Sequence, residues 1–370
     1  MVPGLGTVSS LRLLEKLKSP QIIFRCSASE LEAAGLSPAQ ARNVASGCSF
    51  DDAVDQQQKA INTGAELITI QDPRYPQSLR EIFDPPIVLF ALGRTELMKS
   101  AGIAVVGTRR PTPYGMAACE RLSTDLARAG LTIISGMARG IDTAAHKSAL
   151  TEEGDTIAVF GCGIDVLYPA DNRKLYQDIS RKGLLLSEFP MGAAAFPQNF
   201  PIRNRIVSGL SLGVLIIEGA QHSGSAITAK LAMDQGRDVF AVPGNITSKM
   251  SWGPNLLIKQ GAKLVQEWSD ITNELPLSVR RELVSRAQQK VLSDGIDPLL
   301  AHPSDGPEPP VKALSRKLLN SLQVDVPQQL DGLLETFEGA SSSELIGALF
   351  DLEMSGLIRQ LPGKKFVKVW

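Results

Sequence analysis

Residues 196–262 read FPQNFPIRNRIVSGLSLGVLIIEGAQHSGSAITAKLAMDQGRDVFAVPGNITSKMSWGPNLLIKQGA. Two short apolar runs, 213–217 and 238–242, flank a helical run at 225–235. The apolar runs hardly alternate with polar residues, as expected of strands buried on both sheet faces. Strand, helix, strand with such runs is the unit of a doubly wound α/β domain. The same stretch holds Arg203-Asn204-Arg205, the small-residue turn Ser223-Gly224-Ser225 at a helix start, and Pro243-Gly244 after the second run. These are parts suited to phosphate, with no nucleophile, base or metal set among them.

Working outward, further strand-like runs lie at 87–92, 103–106, 132–134, 156–160 and 184–187, with a helical run at 115–129. They extend the α/β domain over residues 76–275. Ligands in such sheets sit beyond the carboxyl ends of the strands, where the strand order reverses. Residues 1–75 predict a small all-α module. Pro3-Gly4-Leu5-Gly6 and Ala34-Gly35-Leu36-Ser37-Pro38 each precede a helical run, the pattern of a helix-hairpin-helix (SAM-like) unit. Its hairpin N–H groups either hold a phosphate or serve only tight turns. Residues 276–311 form a linker, with five prolines between 297 and 311. Residues 312–370 follow with three helical runs (312–322, 327–337, 342–356) and two strands (357–360, 365–369), a winged helix. Ser341 and Glu344 make a capping box for its last helix.

The loops after the strands carry the candidate binding groups. Gly107, Arg109 and Arg110 follow the run 103–106; the arginines either grip phosphate or make structural ion pairs. Gly136, Arg139 and Gly140 lie in SGMARGID, where N–H groups at the helix start are donors for an anion. His146 is either a ligand contact or a satisfied interior side chain. Asn172, Arg173 and Lys174 follow Tyr168-Pro169; the adjacent charges are either backbone clamps or a solvated helix face. Glu188 is either a general base or a group orienting an arginine of the site; with no nucleophile nearby to activate, the second is the reading taken. With Arg203, Asn204, Arg205, Ser223, Gly224 and Ser225, these residues form the candidate phosphate-binding set.

Composition narrows the classes. A 370-residue chain with 43% hydrophobic and 21% charged residues is ordinary globular material for two or three domains. A net charge of −1 does not advertise a polyanion binder unless the basic groups share one face. Aromatics at 5% argue against many stacking platforms. Cys26, Cys48, Cys119 and Cys162 have no CxxC spacing and read as free thiols of a reducing compartment. Three histidines make a histidine metal site improbable, and no cofactor is expected. No apolar run approaches about 18 residues, so a soluble, cytoplasmic protein without a membrane span is expected. The dinucleotide fingerprint GxGxxG and the nucleophile elbow GxSxG are both missing.

The ordered set GTRRPTPYG, SGMARGIDTAAH, FGCGIDVLYPADN, SEFP, FPIRNRIVSGL, SGSAITA and AVPG resembles the DprA (Smf) family of DNA-processing proteins. The resemblance implies an extended Rossmann-like core that binds single-stranded DNA without catalysis. It also implies a recombination mediator that dimerises through that core and loads RecA during natural transformation. Arg109, Arg173 or Lys174, Arg203, Arg205 and Ser223–Ser225 fall on the family's binding positions. Two departures stand out: Gly219 replaces a commoner alanine, and the chain begins at the hairpin, where a first supporting helix is expected to be missing. The competing class is an enzyme of related fold that cleaves nucleotide N-glycosidic bonds with a PGGxGTxxE motif; here Pro243-Gly244 runs into Asn245-Ile246.

The last helix of the winged-helix segment carries Glu344, Asp351 and Glu353 where a duplex reader would carry arginines. Carboxylates oppose entry into a groove lined by phosphates, so a protein-contact or regulatory role is expected there.

Overall fold

The computed structural model describes residues 2–221, 223–283, 285, 310–322, 327–337, 341–354, 358–361, 363 and 365–368. The chain divides into two compact units, Met1–Leu283 and Val284–Trp370.

The first unit opens with helices α1 (Thr7–Leu17), α2 (Pro20–Ile23), α3 (Ala28–Ala33), α4 (Pro38–Ala45) and α5 (Phe50–Thr63). Leu13, Ile23, Leu31, Leu36, Ala41 and Val44 make the shared core of the first four, while Ala60 of α5 packs into the core of the sheet that follows. α3 and α4 start at capping boxes, Ser27 with Glu30 and Ser37 with Gln40, which satisfy first-turn N–H groups. The hairpin between them is held by Lys16 Nζ, which donates to Ala34 O at 2.7 Å.

A nine-stranded sheet follows: β1 (Glu66–Thr69), β2 (Val88–Gly93), β3 (Gly102–Val106), β4 (Thr132–Ser135), β5 (Thr156–Phe160), β6 (Leu184–Ser187), β7 (Gly213–Ile216), β8 (Asp238–Ala241) and β9 (Lys263–Leu264). Its order is β1-β2-β6-β5-β4-β3-β7-β8-β9. β1 pairs antiparallel with β2 and β2 antiparallel with β6, and the other pairings are parallel. Two edge strands escaped the sequence reading. β1 lies inside the segment assigned to the helical module, yet Glu66–Thr69 pairs in register with Val88–Ala91. β9 is two exposed residues long, too short for any periodicity.

Residues of β3 to β7 are buried throughout because helices cover both faces. α6 (Gln77–Arg80), α10 (Asn199–Leu210), α11 (Gly224–Asp234) and α12 (Trp252–Lys259) cover one of them. Leu79, Ile206, Val207, Ala229 and Leu257 pack there on Val106, Val159, Leu186 and Val214. α7 (Pro113–Arg128), α8 (Ile141–Thr151) and α9 (Arg173–Lys182) cover the other, with Leu175 and Ile179 against Phe160 and Leu185. α13 (Ser269–Thr272) closes the domain. The strand order reverses between β3 and β7, so the crevice at their carboxyl ends is the expected ligand position.

Residues 276–283 of the expected linker are largely helical, and Leu283 is buried. Most of the remaining linker, residues 286–309, lies outside the described residues. The second unit holds α14 (Pro310–Ser321), β10 (Gln328–Gln329), α15 (Leu330–Thr336), α16 (Ser342–Met354), β11 (Ile358–Leu361) and β12 (Lys365–Lys368). β12 pairs antiparallel with both β10 and β11. Leu318, Leu333, Leu345, Leu349 and Phe366 form its core. At Ser341 the backbone N–H donates to Glu344 Oε2 at 2.8 Å, and Glu344 N–H returns the bond at 3.3 Å, the expected capping box.

Candidate nucleic-acid interface

A cleft of about 570 Å³ opens at the β3/β7 reversal. Gly107, Arg109 and Arg110 enter it from the loop after β3, and Gly136 and Asp142 from the segment after β4. Arg203 and Asn204 come from α10, and Ser223, Gly224 and Ser225 from the start of α11.

At its floor, Arg203 is 3% exposed, and its Nη1 donates to Val159 O at 2.7 Å. The guanidinium lies flat against Gly136, where an added Cβ would fall 2.5 Å from Cζ; only glycine leaves that slot open. Arg203 Nε has no partner. Burial pushes its pKa down to about 10, against the opposing pull of Asp142. A buried donor with no acceptor is costly unless something else supplies one.

Asp142 explains why the loop after β4 is not the donor set expected from the sequence. Its Oδ2 accepts from Gly136 N–H at 3.1 Å and Ala138 N–H at 3.3 Å, so the carboxylate already occupies that anion position. Burial raises the Asp142 pKa, while Arg203 draws it back. Gly140, at φ +79°, belongs to the same packing: a Cβ there would meet Thr108 O at 2.5 Å. α11 differs. Its first turn carries no side-chain cap, and Ser223 Oγ and Ser225 Oγ pair with each other at 2.7 Å. The opening N–H groups of a helix have no intrahelical acceptor and carry the positive end of its dipole.

At the mouth, Arg109 is exposed and forms no ion pair among the described residues. Its Cζ sits 5.2 Å from the Phe200 ring centroid. Phe200 in turn lies 5.4 Å from Tyr168, with the rings tilted 35°. This aromatic pair lines the cleft and was missed by the sequence reading. Phe200 and Tyr168 are 32 positions apart in the chain, and a low aromatic content says nothing about clustering.

Residues 66–276 match the family model for DNA recombination-mediator protein A, and residues 302–364 match a DprA winged helix domain. The chain belongs to the DprA (Smf) family. Protein Smf of Synechocystis is 36% identical over 328 residues, covering 81% of this chain and 79% of that protein. The crystal structure of DNA processing protein A from Streptococcus pneumoniae superposes with a TM-score of 0.68 at 37% identity, covering 74% of this chain and 95% of that one. A structure of DNA processing protein A from Helicobacter pylori, described for its single-stranded DNA binding mode, matches with a TM-score of 0.52 at 31% identity over 60% of this chain and 98% of that one.

Within this DprA-family fold the remaining candidates lie elsewhere. Arg205, 5% exposed, faces away from the cleft; its Nε donates to Asp84 at 2.9 Å and its Nη2 to Glu188 at 2.6 Å. One position separates it from Asn204 on α10, and helical phase turns it to the other side. Glu188 thus holds an arginine, but one outside the cleft rather than the arginine of the site expected from the sequence. His146 has no exposed surface, its Nδ1 lies 2.7 Å from Thr156 Oγ1, and burial pushes its pKa down to about 3. It is an interior neutral imidazole, so the strand contact assigned to it is corrected. Asn172 is likewise interior, donating to Met137 O and Thr143 Oγ1. Arg139 is exposed and pairs with Asp171 at 2.6 Å. Arg173 and Lys174 are exposed at the start of α9, outside the cleft lining. Among the described residues no group of three His, Cys, Asp or Glu side chains is placed to hold a metal, and no helix is long and apolar enough to cross a membrane.

Proposed function

We propose that the β3/β7 cleft grips the phosphates of single-stranded DNA without catalysing a reaction on it. The observation that carries this reading is the Arg203 guanidinium, 3% exposed with Nε unpartnered, beside the uncapped start of α11. A phosphate oxygen is the acceptor that such a pair of donors lacks. Arg109 at the mouth adds a second charge, and the Phe200–Tyr168 pair offers a face for a base. These groups read backbone and π-face, so little sequence preference follows. Among the described residues the groups that could react are occupied, which supports a binding role: Glu188 is engaged with Arg205 and His146 is enclosed. The Helicobacter relative, described as a single-stranded DNA binder, supports the substrate class. RecA loading, natural transformation and a homodimer through the Rossmann-like core rest on family membership. A short cleft on each protomer would gain avidity from such pairing.

The test is fluorescence anisotropy of labelled oligo-dT across a salt series. With about three to five phosphates neutralised, the log–log slope is about −2 to −3.5. Arg109→Ala reduces that slope by about 0.7. Absence of binding at low salt, or cleavage of the strand on incubation, overturns the proposal.

A further inference from the structure

Glu218 follows β7, is 1% exposed and is not among the side chains that line the cleft. A carboxylate so enclosed is costly unless donors meet it. Its donors come from one segment, the loop that leaves β3. The β3/β7 ladder runs on past both strands: Ile217 N–H donates to Val106 O at 3.2 Å, and Thr108 N–H donates to Glu218 O at 2.8 Å. The Glu218 side chain then takes the same loop a second time. Its Oε2 accepts from Thr112 N–H at 2.9 Å and its Oε1 from Thr112 Oγ1 at 2.6 Å. A Cβ on Gly115 would overlap this carboxyl, so the glycine leaves the slot that it fills.

One residue therefore holds the loop at both ends, and only Arg109, Arg110 and Pro111 lie between the two holds. Inside that span Pro111 has no N–H to give, and Arg110 N–H donates to Thr108 Oγ1 at 3.2 Å, within the loop itself. The span carries the Arg109 guanidinium to its place over Phe200. Thr112 caps α7 through its own hydroxyl, which accepts from Gly115 N–H at 3.2 Å, so the helix start does not require the carboxylate. Resting on the strand-binding reading, we propose that Glu218 is a positioning residue: its backbone and carboxylate together hold the 108–112 loop so that Arg109 meets a phosphate of the strand at the mouth of the cleft.

The experiment uses the full chain and two readouts. The first is oligo-dT anisotropy across a salt series. The second needs no DNA: trypsin cuts after arginine but not before proline, so Arg109–Arg110 is the bond it can cut in this span, and mass spectrometry follows that cut. Glu218→Ala should weaken strand binding about tenfold or more and lower the log–log slope by about 0.7, the share of one phosphate. In an Arg109→Ala background the same change should alter affinity by less than about twofold, because the two residues act as one. Cleavage at Arg109–Arg110 should rise about tenfold or more, as the loop opens more often. Glu218→Gln should match wild type in both readouts. A glutamine keeps an acceptor for Thr112 N–H, and its amide donates to the lone pair of Thr112 Oγ1 that Gly115 N–H leaves free. Additive losses in Glu218→Ala with Arg109→Ala overturn the proposal, as does a Glu218→Gln variant as impaired as Glu218→Ala. Wild-type cleavage by Glu218→Ala, while wild type binds the strand, overturns the clamp and leaves the strand-binding reading standing. Faster cleavage with no strand binding by any form overturns that reading and supports the clamp. If Glu218→Ala does not fold, Thr112→Val and Thr112→Ser replace it: the valine should loosen the loop and lower the slope, the serine should not, and a valine variant that behaves as wild type overturns the proposal.

Discussion

Gly136→Ala tests the floor of the cleft with a single methyl group. The added Cβ would fall 2.5 Å from Arg203 Cζ and from Nη2. Ordinary carbon contacts are about 3.5–4.0 Å, so the guanidinium must retreat by about 1 Å or more. That stretches the 2.7 Å bond from Arg203 Nη1 to Val159 O past the limit of a hydrogen bond. A charged hydrogen bond is worth about 1.5–3 kcal/mol, so stability should fall by about 2 kcal/mol. If the displaced guanidinium no longer reaches a phosphate, strand affinity falls by a similar amount, about 10- to 150-fold. Urea unfolding followed through Trp252 and Trp268, both in the α/β unit, reads the first quantity. Oligo-dT anisotropy reads the second. Gly224→Ala is the control: it lies in the same cleft, but its Cβ meets nothing within 4 Å. If Gly136→Ala matches wild type in both assays, Arg203 does not fill that slot and the account of the cleft floor is wrong.

Arg205→Met removes the partner of Asp84 and Glu188 and should cost about 3–5 kcal/mol in unfolding free energy, while the folded fraction keeps the wild-type salt slope; a shallower slope would place Arg205 on the strand after all. Phe200→Ala should weaken oligo-dT binding by about 1–3 kcal/mol at every salt concentration without changing the slope, since stacking releases no counterions. His146 gives a pH signature. The unfolded imidazole takes up a proton below its ordinary value of 6.5, but the buried one does so only near 3. Between these values the unfolded chain binds more protons, so stability falls as pH drops, by up to about 1.4 kcal/mol per unit. Unfolding at pH 7.5 and pH 5 should show a fall that is about 2 kcal/mol smaller in His146→Gln. An unchanged pH dependence in that variant would mean His146 is not the enclosed neutral group described.

The α/β architecture is legible in the chain because its signal is local. Apolar runs such as 103–106 and 213–217 specify strands covered on both faces, and the turn residues between them specify where helices begin. The edges were harder: β9 is too short, and β1 follows a helical module whose pattern masks it. The ordered loops also located the cleft, since strand ends converge wherever the order reverses. Which loop residues face the ligand is another matter. Arg203 and Arg205 are two positions apart with the same side chain, yet one lines the cleft and the other holds Asp84 and Glu188. That difference is set by the phase of α10 against its neighbours, which a run of letters does not record. Asp142 closes the N–H position that the glycines of its loop advertise, through bonds formed only once that loop has its tertiary shape. Tyr168 and Phe200 become a platform only when distant segments pack side by side. The sequence by itself determined the layers, the strand ends and the kinds of group gathered there, because backbone propensity and apolar periodicity act over a few residues. The tertiary structure decided which of those groups are free, which are paired and which are enclosed, because burial and partnership depend on contacts between segments far apart in the chain.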